Sequence, residues 1–326
     1  MGTQLIVPFR SSEDDIRDIR VSGDLGQIVF LNYDVRDYES IVKSMSHSNV
    51  AINLVGKNFE TKNFSYKACH VDAAEAIASA AAECQVDNLI HVSHLLAKDD
   101  SPSEFMQMKA AGEKAVLAKF PTATIVRPAE AYGDEDLYLN RFAYMRKLPR
   151  VPLVGSGWDT LKRPVYIRDI AKGLRALAMD PSAAGKVFEL YGPEEYHLRE
   201  IVEYVYRQIK EDLNVVNIPL EWYQNIGKLF ELSPFHARWT KEQVTREYLT
   251  EVANPDACTF EDIGITPTNL NEVGGGILRR HRPPALAEQS LREEDNIRPS
   301  HVVNKARAEE VPVTVSLLDR VLTAKL

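Results

Sequence analysis

The chain has 326 residues, 44% of them hydrophobic, a formal net charge of −8 and three cysteines. That apolar content can bury one large domain with a smaller one beside it, and the acidic balance argues against a nucleic-acid-binding surface. Cys69, Cys84 and Cys258 include no close pair, which excludes a zinc spacing or a disulfide framework and suits a reducing compartment; no apolar run approaches a membrane span.

Taken in order, the chain opens directly on a strand-like run over residues 5–9, with no targeting segment before it, and that run ends at Arg10. A second β-rich run covers 27–31 and leads into Asp34-Val35-Arg36-Asp37 and a short helical pattern through Ile41 and Met45. A third covers 50–55 and stops at Gly56, and the alanine-rich stretch 72–84 predicts a close-packed helix. Residues 88–92 read as a buried strand ending at Ser93. Ser101-Pro102-Ser103-Glu104 then predicts a helix start, with Ser101 as the cap, for a helix running to about 119. A further strand over 123–126 ends in Arg127-Pro128. Strands alternating with helices predict an α/β fold, a doubly wound parallel sheet, over a dinucleotide-binding domain at 1–148.

Beyond 148 the texture predicts a smaller α/β lobe over 149–280. It contains a helix at 169–179, a strand at 186–191, a helix at 198–210 and a second capped start at Thr240 with Gln243. Gly274, Gly275 and Gly276 should weaken any helix around them. Residues 281–326 are charged and interrupted by proline, which predicts an extended tail that orders only against a partner.

The chemistry concentrates at Ser93 and on the helix after it, where Phe105 and Lys109 are four apart and share a face. A strand ending in serine, followed by an aromatic and a lysine at that spacing, has the layout of a short-chain dehydrogenase/reductase active site. There the aromatic is a tyrosine that passes the proton, and Phe105 has none to give. Taken alone, Ser93 could simply end a strand and Lys109 could be a solvated helix lysine. Arg10 stands where an acidic residue would take a ribose 2′-hydroxyl and an arginine favours a 2′-phosphate, or it is a surface arginine. Asp34 could meet an adenine amino group or only form a turn, and Gly56 would let the backbone approach a ligand closely. His91 and His94 are expected to point away from the face of Ser93, and Trp158, Trp222 and Trp239 to be packing residues. The basic run Arg279-Arg280-His281-Arg282 reads as a solvated face, with acidic lipid headgroups as the alternative. No G-x-G-x-x-G occurs in a strand-to-helix turn, so the usual pyrophosphate cradle is missing from the sequence.

The succession LIVPFR, GDLGQIVFLNYDVRD, SHSNVAINLVGKNFETKNF, NLIHVSHL, PTATIVRPAEAYG, RPVYIRDIAKG and ILRRHR resembles the nucleotide-binding accessory subunits of mitochondrial respiratory complex I, the alpha-subcomplex subunit nine family. These are atypical, extended short-chain dehydrogenase/reductase relatives, and the resemblance runs from Gly2 to about Arg282. It implies a non-catalytic subunit on the matrix side of the mitochondrial inner membrane, among complex I subunits near the junction of the peripheral and membrane arms. It also implies a tightly held NADPH. Carried over residue by residue, Arg10 would meet the 2′-phosphate and Asp34 with Val35 the adenine. Asn53, Leu54, Val55 and Gly56 would line the middle, and Ser93 and Lys109 the nicotinamide end. Because family members carry a first strand and glycine-rich turn upstream, the expectation is a sheet lacking that strand and a weakened grip on NADPH. A working NADPH-dependent reductase and a free dinucleotide-sensing regulator are the rival readings.

Overall fold

A computed structural model describes residues 3–10, 12–231 and 240–283. The first half alternates strand and helix: β1 (Leu5–Phe9), α1 (Arg17–Arg20), β2 (Ile28–Asn32), α2 (Tyr38–Met45), β3 (Val50–Asn53), α3 (Ala73–Glu83), β4 (Asn88–Val92), α4 (Glu104–Lys119) and β5 (Thr124–Pro128). Then follow β6 (Ala131–Tyr132), α5 (Leu139–Tyr144), β7 (Val151–Leu153), β8 (Leu161–Lys162), β9 (Val165–Tyr166), α6 (Ile167–Met179) and β10 (Val187–Leu190). The chain continues through β11 (Tyr196–His197), α7 (Leu198–Ile209), β12 (Val215–Asn217), α8 (Leu220–Glu231), α9 (Lys241–Glu247) and α10 (Leu270–Leu278).

The main sheet is parallel, in the order β10-β5-β4-β3, with Asn53 opposite His91 and His91 opposite Ile125. β4 is buried at all five positions. β1 and β2 pair in parallel with each other but not with this sheet. A gap in the hydrogen-bonding therefore falls where the expected central strand would lie, and among the described residues β1 and β3 each keep one edge unpaired. The ribbon is tied to the sheet by α2, which packs on β1 and on α3, and by Phe64, whose ring lies under the Arg10 guanidinium.

The helix after Gly56 begins with one turn of π-helix over Ala68–Asp72 before α3 proper. Gly112 of α4 makes this possible, because a Cβ there would collide with the His70 carbonyl oxygen. α4 itself is capped by Ser103, not Ser101: the Ser103 hydroxyl accepts from Met106 N at 3.5 Å and donates to Glu242 at 2.7 Å. Glu242 lies on α9, so its carboxylate complements the positive end of α4 and joins the two halves of the molecule. Thr240 caps α9 as expected, accepting from Gln243 N.

A boundary at 148 does not divide the two lobes. α6 and β10 return to the first lobe, where β10 extends the main sheet beside β5. Conversely Tyr132, Leu139, Phe142 and Met145 pack into the second core with Val151, α7 and α10. The three glycines lie inside α10, and two of them bring it close to α7: a Cβ at Gly274 would meet the Tyr204 hydroxyl at 2.7 Å and one at Gly275 the Gln208 side chain at 3.1 Å. At the basic run, His281 and Arg282 are buried, His281 against Asn140 and Arg282 on the Gln208 carbonyl, so the segment closes the lobe and is not a solvated face. Of the tail expected from 281, residues 284–326 lie outside the described residues. Trp158 and Trp222 are 48% and 71% exposed, against the expectation of packing roles, and Trp239 is not described.

Candidate functional site

Ser93 and Lys109 are brought together. Ser93 N continues the β4 ladder to Val126 O at 2.7 Å, while its buried hydroxyl has no hydrogen-bond partner among the described residues. Lys109, one turn along α4 from Phe105, reaches back so that Nζ donates to Val92 O at 3.3 Å. Burial of this ammonium pulls its pKa down to about 8, partly offset by Glu113, while Arg246 adds to the fall. Gly56 sits beside it: a Cβ at Gly56 would lie 3.2 Å from His70 Cε1 and 3.7 Å from Lys109 Nζ.

His91 corrects the sequence expectation. It is two residues from Ser93 on one strand and therefore shares its face. The ring is buried and its Nδ1 accepts from Asn53 Nδ2 at 3.1 Å; the Asn53 orientation is set by Val55 N, which donates to Asn53 Oδ1 at 3.0 Å. The His91 proton is thus on Nε2, which has no partner among the described residues. Burial, with the charge of Lys109 and then His70, lowers the His91 pKa to about 3, which keeps it neutral. His94 does face elsewhere: its Nδ1 accepts from Leu96 N, and burial holds it neutral with a pKa of about 3, so its 3.9 Å contact with Glu130 is not an ion pair at neutral pH.

Phe105 stands one turn before Lys109 on the same face of α4. It is buried with Tyr66, Leu96 and Met106, its ring edge-on to His70 at 4.8 Å. The Arg246 guanidinium, from α9, is centred 4.2 Å from the ring and reaches Asn58 Oδ1 at 3.5 Å. A cation from the other lobe thus covers this ring. Behind Arg246 runs a buried charged seam: Lys162 against Glu251 at 3.7 Å, Arg141 against Glu247 at 2.8 Å, and Lys162 Nζ on the Arg246 carbonyl.

At the far end, beyond β1 and β2, Arg10 and Arg36 both lie over the Phe64 ring, at 4.9 and 5.0 Å from its centre. The Asp34 carboxylate is engaged by Arg36 through Nε at 3.3 Å and Nη2 at 3.1 Å, which holds its pKa down to about 2. It is therefore engaged by a guanidinium on a solvated surface. Val35 is half-buried beside it. Asn53 is buried in its bonds to His91 and Val55, Leu54 and Val55 are half-buried, and Gly56 is exposed.

For a dinucleotide phosphate the two ends fit and the middle does not. One end offers two guanidiniums for an anion; the other offers unpartnered buried polar atoms beside an open glycine. Between them no glycine-rich strand-to-helix turn exists among the described residues. Sequence reasoning missed Arg36 as a partner of Arg10, and His70, Phe64 and Arg246 altogether. Only Gly56 and Gly112 hinted that something large packs there. No group of residues able to hold a metal, and no helix long and apolar enough to cross a membrane, occurs among the described residues.

No family model matches the chain. It is 42% identical over 304 residues to the mouse mitochondrial NADH dehydrogenase [ubiquinone] 1 alpha subcomplex subunit 9, covering 93% of this chain and 80% of that protein. It is 36% identical to the Neurospora crassa mitochondrial NADH-ubiquinone oxidoreductase 40 kDa subunit, covering 91% and 80%. The Arabidopsis thaliana subunit 9 is 42% identical, covering 86% and 73%. Among solved structures, the NADPH-dependent quinone oxidoreductase of Escherichia coli in complex with NADPH superposes with a TM-score of 0.65 at 15% identity, covering 83% and 89%. The dTDP-glucose 4,6-dehydratase of Streptomyces venezuelae with NAD superposes at 0.64 and 14% identity, covering 86% and 87%. These likenesses establish the Rossmann-type fold.

Proposed function

Because the chain belongs to the family of NADH dehydrogenase [ubiquinone] alpha-subcomplex subunit 9, we propose that it is a non-catalytic accessory subunit of mitochondrial NADH:ubiquinone oxidoreductase, retained for assembly and stability of the complex. The observation that carries the non-catalytic part is Phe105 under Arg246. The residue in the proton-transfer position has no hydroxyl, and the approach to it is filled. Losing a positioned general acid forfeits on the order of 10²–10⁴ in rate, and Lys109 has no phenol to activate. Its ammonium instead donates one hydrogen bond to the Val92 carbonyl.

In this reading the cleft is a structural nucleotide site. Arg10 and Arg36 would hold the 2′-phosphate of NADPH, and Ser93 with Lys109, beside Gly56, would hold the nicotinamide end. When bound, NADPH would supply a reducing hydride that no residue here is placed to use. The subunit would be peripheral, on the matrix side of the inner membrane, touching neighbouring subunits near the junction of the two arms.

A tagged copy in cells lacking their own subunit tests the assignment. It should co-migrate with the assembled complex on a native gel and restore its amount. A tag found only in the free pool would overturn it. Separately, purified chain with NADPH and a panel of hydrophobic carbonyls should show no oxidation above background. Turnover that Lys109→Met abolishes would overturn the non-catalytic part.

A further inference from the structure

In a chain of net charge −8, one corner of the second lobe is basic. Three segments meet there. The Arg146 guanidinium donates to the His281 carbonyl, and the Tyr144 ring lies edge-on to His281 at 4.9 Å. Arg282 Nε donates to the Gln208 carbonyl, in the last turn of α7, at 2.7 Å. Val151 N donates to Asn214 O at 2.8 Å, which sets Arg150 beside the chain leaving α7. These contacts gather Lys147, Arg150, Lys210 and Arg280 on one surface, and all four are exposed. None of the four is in an ion pair among the described residues, although Glu211 and Asp212 follow Lys210. Two apolar groups stand beside them, Tyr144 and Leu148, 50% and 42% exposed.

We propose that this corner is an interaction surface for an anionic phospholipid bilayer. Exposed cations without a fixed partner suit mobile headgroups, with the tyrosine at the interface and the leucine below it. A protein partner would supply carboxylates at set positions, and nothing here holds these side chains to meet them. The acidic remainder of the chain is repelled by the same membrane, so the patch also orients the molecule. The proposal rests on the reading of the chain as a peripheral subunit at the inner membrane, and adds which face turns to the lipid.

Flotation of the purified full chain with vesicles tests it. The chain should float with an equal mixture of phosphatidylcholine and phosphatidylglycerol, and stay in solution with phosphatidylcholine alone. Salt at about 1 M, where screening acts within roughly 3 Å, should release it. A basic residue at an anionic surface strengthens binding about fivefold. Lys147→Gln, Arg150→Gln and Arg280→Gln together should therefore weaken flotation about a hundredfold. Lys43→Gln, Lys67→Gln and Lys98→Gln, the same charge change at exposed sites of the first lobe, should alter it by about twofold or less. Undiminished flotation of the first triple variant, equal loss in both, or equal binding to neutral vesicles overturns the proposal. Binding to soluble polyglutamate without binding to vesicles would also overturn it, in favour of an acidic protein. Co-migration with the complex on a native gel, measured in parallel, separates the two readings. No flotation with normal co-migration sinks the lipid surface alone, whereas absence from the complex sinks the subunit assignment.

Discussion

The β1–β2 ribbon and the four-stranded sheet are made from similar material, five-residue runs such as LIVPF, IVFLN and NLIHV, yet they are held very differently. β4 has a strand on each side, α3 and α4 on one face and α6 on the other, and it is buried throughout. β2 pairs on one edge only; four of its residues are half-buried and Asn32 is exposed. The polar chemistry divides the same way. The sheet carries Ser93, His91 and Lys109 in a desolvated corner, whereas the ribbon carries Arg10, Asp34 and Arg36 on a solvated edge. A strand's neighbours, more than its own residues, decide how dry and how rigid its end will be.

The largest test of that contrast is truncation. Leu89→Ala in β4 should cost about 2–5 kcal/mol, as for a fully buried leucine. Val29→Ala in β2 should cost about 1 kcal/mol or less, since the residue is only half-buried. Urea unfolding measures both, and equal losses would show that the ribbon is as well supported as the sheet. Next come the ion pairs. Glu113 is buried and takes Arg127 through two hydrogen bonds, at 3.0 and 2.6 Å, with Glu189 behind. Glu113→Ala should cost about 1–3 kcal/mol by leaving Arg127 half-satisfied. Asp34→Asn on the ribbon should cost under about 1 kcal/mol, because that pair is solvated. Its contribution should be fully present above the ordinary aspartate pKa and fade as pH falls toward about 2, the depressed value Arg36 maintains. A carboxyl titration followed by NMR shows the midpoint.

Hydrogen exchange sharpens the contrast further. Amides of β1 and β2 should exchange roughly tenfold or more faster than those of β4 and β5, being released by local opening. Uniform protection would mean that the gap between β1 and β3 is closed by contacts stronger than those visible. The last test is the pH dependence at Lys109. Its folded pKa of about 8 is below the unfolded value, so between the two the unfolded chain binds the extra proton and stability rises with pH. Lys109→Met should remove that rise; a variant that keeps it would assign the dependence to another group.

Most of the sheet was legible because buried parallel strands announce themselves as short apolar runs, and spacing alone singled out Ser93 and Lys109, which the fold sets at adjoining ends of β4 and α4. The face of His91 was equally available, since residues two apart on a strand point the same way, and its expectation failed on that simple rule. The cap of α4 was placed two residues early because Ser101 and Ser103 carry the same local signal; Glu242, far along the chain, binds Ser103 and selects it. No spacing rule could bring Arg246 over Phe105 or set Arg36 beside Arg10 on Phe64, for those contacts depend on how α9 and the loop after β3 are packed.

By itself the sequence determined the order of strands and helices, the absence of a phenol at Phe105, the absence of a glycine-rich turn and the family to which the chain belongs. These are properties of local pattern and residue type, which no packing can change. Tertiary structure alone decided which polar groups meet: that Asp34 pairs with Arg36, that Lys109 bonds the Val92 carbonyl, that His281 and Arg282 close a lobe, and that His91 Nε2 and Ser93 Oγ find no partner among the described residues. Desolvation and pairing depend on what arrives from distant parts of the chain, and the chain's own order does not state that.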